Sequence, residues 1–433
     1  MPKLFLLILV LLFHPVLHAQ EFISLNSAIE RVLSTNQDLK MQDVEVKIAE
    51  ADLKKINSAW LPQLSLSHTL FATDDPLNSF GFKLQEERIA QKDFDPVYLN
   101  NPEFNIHNNT KLSLRQSLFN YQVFENKRGL QARKLGVDFQ RMRVSEKLVL
   151  ETKNTYSDLQ LLYATLDLSN ETLKTLQEKE RVVRQLQEQG LVKTSDGMFV
   201  QMELTDLNLK IQEITLHIKD LSKYLSLLMG ESADVVYRPE SLLSEQAPNG
   251  SDLILKNRSD MKAAMSFIDS RKHGLLAEKY GFIPSLHVFG ELNFYDKNIF
   301  SFSSRSIFTG IQLSWDLFNG NLRAYEKARL DLEIKRDELS LDRGMDQAKL
   351  EISKLRNQIE LFKSRILLTE ENVKWAEESG RILNDRFLQG LEKTVEVMSA
   401  DNLIFEKKLK LLEAISNLNK AMYQLDYLNA GSK

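Results

Sequence analysis

The chain repeats one set of landmarks in the same order in each of its halves. Three short segments of the first half return in the second: Trp60-Leu61-Pro62 as Phe282-Ile283-Pro284, Leu118-Phe119-Asn120 as Leu317-Phe318-Asn319, and Gln189-Gly190-Leu191 as Gln389-Gly390-Leu391. The two matching prolines are farther apart along the chain than the two asparagines or the two glycines. The first copy therefore carries about 23 additional residues between its first two landmarks, as a surface loop tolerates. A fixed order at so long a period predicts two copies of one structural unit.

The N-terminal segment, residues 1–19, has the pattern of a secretory signal peptide. Lys3 precedes an apolar run from Leu4 to Phe13, and Ala19 is a small residue just before Gln20. The run is too short to anchor the chain in a bilayer. A buried N-terminal strand or helix is the alternative. The pattern predicts a mature chain that begins near Gln20 and leaves the cytoplasm.

The composition argues against several classes of protein. The 56 Lys and Arg residues nearly balance the 60 Asp and Glu residues without a basic block, so nothing predicts nucleic-acid binding. The sequence contains no Cys, so neither a disulfide framework nor a lipid-modified N-terminal Cys is available. After Ala19 no apolar run reaches the length that a transmembrane helix needs, about 18 residues or more. If the chain enters a membrane, it does so through strands.

The sequence carries no motif that predicts catalysis or a cofactor. It has no phosphate-binding Gly-rich loop with Lys, no His-Glu-x-x-His, and no nucleophile elbow. His68, His107 and His287 lie on or near predicted strands, where an isolated His is usually structural or solvated. We therefore predict no catalytic residues, no cofactor and no metal site.

Two long spans without proline predict very long helices. Proline is missing between Pro102 and Pro239 and again after Pro284, and both spans are rich in Leu, Glu, Lys, Gln and Arg with apolar residues at three and four spacing. Helices over about 119–189 and 318–389 would each be on the order of 100 Å long. Gly190 and Gly390 would end them, and helices over about 198–228 and 397–428 would return antiparallel. Shorter helices, about 25–59 and 253–280, would precede each proline landmark.

Between the first two landmarks of each copy the apolar period changes to two. Apolar residues alternate with polar ones over four segments of about ten residues, namely 64–70, 112–117, 286–294 and 307–317. A lipid-facing barrel wall shows this alternation, and so does a half-buried sheet of a soluble protein. Four strands cannot close a barrel around a channel, whereas three chains supply twelve. The sequence thus predicts a mostly α protein with a membrane β-barrel, built from a duplicated helix-strand-strand-helix unit.

These signals divide the chain into four parts. Residues 1–19 form the signal peptide, and 20–230 the first repeat, with a helical tip near 190–197. Residues 231–252, with Pro239, Pro248 and Gly250, form a linker between the repeats, and 253–433 form the second repeat, with its tip near 390–397. The connection over about 73–108 is the longer of the two strand connections and would face outside the cell.

The sequence resembles the TolC family of outer-membrane efflux proteins over nearly the whole mature chain. The segments that carry the likeness are 24–29, 36–40, 80–84, 93–96 and 99–102, together with the paired Pro62 and Pro284, the Leu-Phe-Asn turns and the tips at Gly190 and Gly390. The resemblance implies a homotrimer with one twelve-stranded outer-membrane barrel in contact with lipid and a long periplasmic α-helical tunnel. It also implies a passive exit duct for an efflux or type I secretion system, docked by a periplasmic adaptor and driven by an inner-membrane transporter.

The resemblance also implies that the second tip closes the tunnel through two acidic residues one helical turn apart. Glu396 matches the first of these positions, while Ser399 stands at the second and Asp401 is a nearby substitute. On a threefold axis one carboxylate per chain becomes a ring, and a narrow ring of carboxylates favours cations. We expect Glu396 to form this constriction. The alternative is that Glu396 only complements the dipole in a first helical turn.

A latch between neighbouring helix pairs is the second site that the resemblance implies. Asp196, beside Ser195, matches the first-copy position of the latch, but the second-copy positions are Phe387, without a hydroxyl, and Glu392, with the opposite charge. Lys193 or Lys393 would then pair with Asp196 instead. Gly190 and Gly390 would mark the surface that docks the adaptor, and both also suit a left-handed helix end.

Two other classes of protein remain open from the sequence alone. A structural periplasmic coiled-coil protein without channel activity would explain the helices but not the four alternating segments. An adaptor protein would be expected to carry one helical hairpin rather than two complete copies. Neither the cargo, whether drug, metal or protein, nor the pump can be read from the residues.

Overall fold

The two halves of the chain fold as two copies of one helix-strand-strand-helix unit. The computed structural model describes residues 20–231, 235–240, 255–299 and 302–429. The predicted signal peptide and most of the predicted linker lie outside these residues. The helices are α1 (Leu25–Thr35), α2 (Gln37–Asn57), α3 (Pro76–Gln85), α4 (Pro96–Asn100), α5 (Tyr121–Glu188), α6 (Thr194–Leu228), α7 (Ser259–Lys279), α8 (Leu322–Leu388) and α9 (Thr394–Asn429), and the strands are β1 (Gln20–Ile23), β2 (Gln63–Thr73), β3 (Asn105–Phe119), β4 (Val236–Pro239), β5 (Ser285–Asp296) and β6 (Ser304–Ser314).

The duplication is visible in the lengths of the matching helices. Helices α2 and α7 both have 21 residues, α5 and α8 have 68 and 67, and α6 and α9 have 35 and 36. The mostly helical class, the duplicated unit and the antiparallel return of each long helix are therefore confirmed. Among the described residues, none of the helices combines the length and the apolar character needed to cross a bilayer.

The single helix predicted over 25–59 is wrong, because the chain bends at Asn36. The side-chain carbonyl of Asn36 accepts hydrogen bonds from the N–H groups of Asp38 and Leu39, and its amide donates to the carbonyl of Leu228 at 2.8 Å. Asn competes in this way with the helical backbone bonds and caps the following helix. Helix α1 therefore ends at Thr35 and α2 begins at Gln37.

The four long strands form one antiparallel sheet in the order β2-β3-β5-β6. The register pairs Leu66 with Leu112, Leu112 with Leu292 and Leu292 with Ile307, so the leucines of β2, β3 and β5 share one face with Ile307 of β6. The sheet confirms the four predicted strands and their alternation. Strands β2 and β6 are its two edges.

Two strand boundaries differ from the sequence prediction. Strand β3 begins at Asn105, so the long connection spans 74–104 rather than 73–108. Strand β6 ends at Ser314, which pairs with Ser285, the first residue of β5. Because Pro284 precedes β5 and has no N–H, the partner strand ends there and Trp315 and Leu317 lie beyond the ladder.

The chain divides into two units, each with its own packing. One unit, residues 46–137 and 264–340, contains the sheet, and the other contains residues before 46, 138–263 and 341 onward. In the second unit, Leu159, Ile218 and Leu225 of α5 and α6 form an apolar core, and Ile366 of α8 packs with Leu418 of α9. A short parallel pair, β1 with β4, places Ile23 and Tyr237 in the first of these cores. The sequence did not reveal this pair.

Candidate functional site at the helical tips

The first helical tip is a glycine turn between α5 and α6. Gly190 has a φ of +72°, and the Leu191 N–H donates to the carbonyl of Leu186 at 2.9 Å, which closes the end of α5. Glycine is favoured at this left-handed position because it has no Cβ. Lys193 precedes α6 and is exposed, Ser195 is exposed, and its hydroxyl lies 3.4 Å from an oxygen of the half-buried Asp196 carboxylate.

The second tip repeats this turn between α8 and α9. Gly390 has a φ of +73°, and the Leu391 N–H donates to the carbonyl of Arg386 at 2.9 Å. Glu392 forms an ion pair with the Arg386 guanidinium at 3.4 Å. Lys393 is exposed at the start of α9. The predicted tips near 190–197 and 390–397 therefore have one backbone conformation but different side-chain pairing.

The three carboxylate and hydroxyl candidates for the constriction do not share one environment. Glu396 lies in the first turn of α9 and is exposed, as is Ser399. Asp401 instead forms an ion pair with Lys179 of α5, and the side chains of this pair are only 21% and 16% exposed, respectively. Since Lys179 neutralises Asp401 within the protomer, Glu396 is left as the acidic group with a solvent-facing side chain. Sequence reasoning missed Lys179, because its contact joins residues 222 positions apart.

The second-copy latch positions are engaged inside the protomer. Phe387 is 5% exposed and packs in an apolar cluster with Val183, Val397 and Met398. A hydroxyl on this ring would be buried among apolar side chains, where it would need a partner. Glu392 already pairs with Arg386. The two departures from the family pattern at these positions are thus compatible with the local packing.

A groove of about 530 Å³ lies between the two hairpins above the tips. Met398 and Phe405 are among the residues that line it, and the ammonium nitrogen of Lys210, in α6, lies 4.4 Å from the centre of the Phe405 ring. The Asn402 amide donates to the Glu203 carboxylate at 3.1 Å. Contacts between α6 and α9 therefore cross this groove. The sequence did not predict this groove, because its lining comes from four helices, α5, α6, α8 and α9.

The sheet carries leucines on one face, as the wall of an outer-membrane barrel does. The chain belongs to the outer membrane efflux protein family, whose model matches residues 28–231 and 250–430. This confirms the resemblance and the predicted outer-membrane location.

Individual relatives are distant in sequence but close in fold. The probable efflux pump outer membrane protein TtgC of Pseudomonas putida KT2440 is 24% identical over 292 residues, which is 64% of this chain and 60% of that protein. The match thus covers less than two thirds of this curated relative. The crystal structure of CusC has a TM-score of 0.80 at 16% identity, covering 94% of this chain and 92% of CusC. That of VceC from Vibrio cholerae has a TM-score of 0.76 at 15% identity, covering 94% and 97%.

Proposed function

We propose that the chain is a passive exit duct of the outer membrane, formed by three copies, for an efflux or type I secretion system. The observation that carries this proposal is the four-stranded sheet, which is apolar on one face and has two edges that pair with no other strand among the described residues. Family membership supports the same function.

The apolar face of the sheet is suited to lipid. Leu64, Leu66, Ile307 and Ile311 all lie on this face and are between 66% and 73% exposed. The strands have 11, 15, 12 and 11 residues, about the length that spans a bilayer at a tilt. A soluble protein would have to cover so large an apolar surface. Outer-membrane lipid is therefore the proposed contact of this face.

The two free edges favour closure by three chains. Neighbouring strands alternate in direction, so β6 of one chain can pair antiparallel with β2 of the next and leave no open edge. Two chains would give eight strands, a barrel whose interior side chains fill. Three chains give twelve strands and room for a channel.

Apolar stripes on α6 and α8 support the same assembly. Met202, Leu209 and Leu216 of α6 are exposed at heptad spacing, and so are Leu368, Trp375 and Ile382 of α8. Leu209 lies about four turns after the start of α6, and Trp375 about four turns before the end of α8. Both are thus about 20 Å from the tip ends of their helices. Met202 and Ile382 likewise lie at similar distances from the tip, and so do Leu216 and Leu368. A heptad spacing is typical of a coiled-coil seam.

The tips are the proposed docking surface for the partners that power export. Gly190 and Gly390, with the neighbouring Lys193, Ser195 and Lys393, present exposed polar turns at the same end of their hairpins. A periplasmic adaptor would dock there and connect the duct to an inner-membrane transporter. Phe387 and Glu392 support the turn from inside, and Asp196 remains the proposed contact between neighbouring helix pairs.

Engineered disulfides test the trimer directly, because the chain has no native Cys. The pair Leu209→Cys and Trp375→Cys should give covalent trimers in oxidised membranes. The pair Leu209→Cys and Leu361→Cys is the matched control, since Leu361 is exposed on the same helix two heptads away. Trimers from the control pair alone, or from neither pair, would contradict the proposed seam. A structural coiled-coil protein without a channel would cross-link but would not conduct ions in a planar bilayer.

Block of ionic current by divalent cations tests the proposed Glu396 ring. Glu396→Ala should raise the blocking concentration of Mg²⁺ at least roughly tenfold, because three carboxylates on the axis lose their charge. Glu413→Ala, an exposed carboxylate farther along α9, is the control and should change little. Unchanged block in Glu396→Ala would show that the constriction lies elsewhere.

A further inference from the structure

The connection between β2 and β3 does not extend freely from the end of the strands. It contains α3 and α4, and it crosses the sheet from the end of β2 to the start of β6, where the Ser304 hydroxyl donates to the carbonyl of Gln85 at 2.6 Å. The other connection, between β5 and β6, is much shorter. The segment 74–104, here called the strap, thus spans the whole width of the four-stranded sheet.

The strap covers the polar face of the sheet. The ring of Phe82, in α3, stacks on His107 with the ring centres 4.0 Å apart and the planes at 2°, and Phe71 and Tyr295 flank the same imidazole. His107 pairs in register with Phe71, the residue after Leu70. Because successive side chains of a strand point to opposite faces, His107 lies on the face opposite the leucines. In a membrane barrel the polar face lines the lumen. The strap therefore lies over the lumen side.

One buried carboxylate fastens the strap. The Glu86 side chain is fully buried, and it accepts hydrogen bonds from His107, 1% exposed, at 2.8 Å and from the Nε of Arg88 at 2.6 Å. A carboxylate without partners is very costly to bury. His107 therefore ties Glu86 to the sheet, while Arg88, which lies in the strap itself, is the second partner of this carboxylate. The sequence did not predict this pair, since Glu86 and His107 are 21 positions apart and lie in different elements.

The strap is braced within itself. Lys83 pairs with Asp93 at 3.0 Å, and the Ala90 N–H donates to the same carboxylate at 2.8 Å. The Ala90 bond and then the Lys83 bond hold the pKa of Asp93 below its usual range, so this carboxylate stays charged and paired near neutral pH. These contacts join α3 to the part of the strap that follows it.

We propose that the strap is a lid over the outer mouth of the duct, locked by the Glu86 and His107 pair. The inference rests on the proposed barrel, and it adds a second barrier to the constriction proposed at Glu396. Three straps, one per chain, narrow the mouth against solutes from outside, and release of Glu86 from His107 opens it for cargo.

Thiol labelling in intact cells tests the lid without requiring current. Ser304→Cys is the buried reporter, since Ser304 is 5% exposed beneath Gln85, and Ser303→Cys is its exposed neighbour. We expect an external maleimide to modify Ser303→Cys rapidly and Ser304→Cys at least roughly tenfold more slowly. Adding Glu86→Ala should bring the Ser304→Cys rate close to that of Ser303→Cys. Glu103→Ala, an exposed carboxylate in the same strap, is the matched control and should leave the rate unchanged.

A second variant of the lock distinguishes release of the strap from misfolding of Glu86→Ala. Phe82→Ala removes the ring stacked on His107 and should also raise the labelling rate of Ser304→Cys. In both lock variants, Glu86→Ala and Phe82→Ala, channel current in planar bilayers should rise about twofold. Equal labelling of the two reporters in the unaltered chain, or no acceleration by either lock variant in trimers that still conduct, would overturn the lid. Accelerated labelling with no current in any variant would instead overturn the proposed duct and leave the strap's lock standing.

Discussion

The two helical tips share a backbone and differ in what surrounds it. Gly190 and Gly390 have φ angles of +72° and +73°, and both helices that follow begin at a threonine. In the second copy, however, one side of the start of α9 is buried, with Thr394 and Met398 each 2% exposed, whereas Met198, the counterpart of Met398 in the first copy, is 64% exposed. The same glycine turn therefore occurs both at the second tip, which is packed against other helices, and at the first tip, which is more exposed.

The comparison separates what local sequence determines from what packing against other helices determines. The turn follows from local sequence, since Gly at the left-handed position and the hydrogen bonds back to the helix need no other element. The burial depends on neighbouring helices, because Val183 and Phe387 come from α5 and α8. Within the protomer the second tip is therefore the anchored one, and the first tip offers the more exposed apolar surface.

The largest expected contrast is between the two matching methionines. Met398→Ala should lower the free energy of unfolding by about 2–5 kcal/mol, because it removes a fully buried side chain from the tip cluster. Met198→Ala should change it by less than about 0.5 kcal/mol. Guanidinium unfolding of the solubilised protein, followed by helical circular dichroism, measures both. A large effect of Met198→Ala would mean that the first tip is equally packed in the assembled trimer.

The ion pair between Lys179 and Asp401 should give the next largest effect. Lys179→Met leaves the partly buried Asp401 carboxylate unpaired and should cost about 1–3 kcal/mol, and Asp401→Asn in the same chain should restore part of that loss. Gln201, the first-copy counterpart of Asp401, instead forms an exposed hydrogen bond of 2.9 Å with Glu180 of its own hairpin, so Gln201→Ala should cost far less. Equal costs for the two pairs, in the same unfolding measurement, would argue that the tips are equally anchored.

The glycines should respond alike, because their environments are alike. A Cβ added at Gly190 or at Gly390 meets no atom within 4 Å, so the cost comes from the backbone alone. Each Gly→Ala change should cost about 1 kcal/mol through the left-handed φ. A thermal unfolding midpoint that falls for one variant only would show that some contact beyond the turn constrains that tip.

The sequence predicted what depends on local pattern and missed what depends on distant partners. The long helices, the four strands and the glycine turns follow from proline spacing, apolar period and a single residue type, and these were confirmed. The break at Asn36 was missed because its amide bonds to Leu228, and the pairing of Asp401 because Lys179 lies on another helix. The pairing of Glu86 with His107 was missed for the same reason: each is an ordinary polar residue until the strap folds onto the sheet.

The smallest effect on the free energy of unfolding is expected at Glu392, which has no charged counterpart in the first tip. Its pair with Arg386 is 3.4 Å long, and the Arg386 side chain is 55% exposed, so Glu392→Gln should change stability by less than about 1 kcal/mol. The change should vanish in about 1 M salt, which screens exposed charges. Val192 occupies the matching position in the first copy and carries no charge. A different result would be a higher open probability of single channels in Glu392→Gln, with Glu396→Gln altering only cation block. In that case Glu392 would act between chains. The second tip would then be anchored to the neighbouring chain as well as to its own protomer.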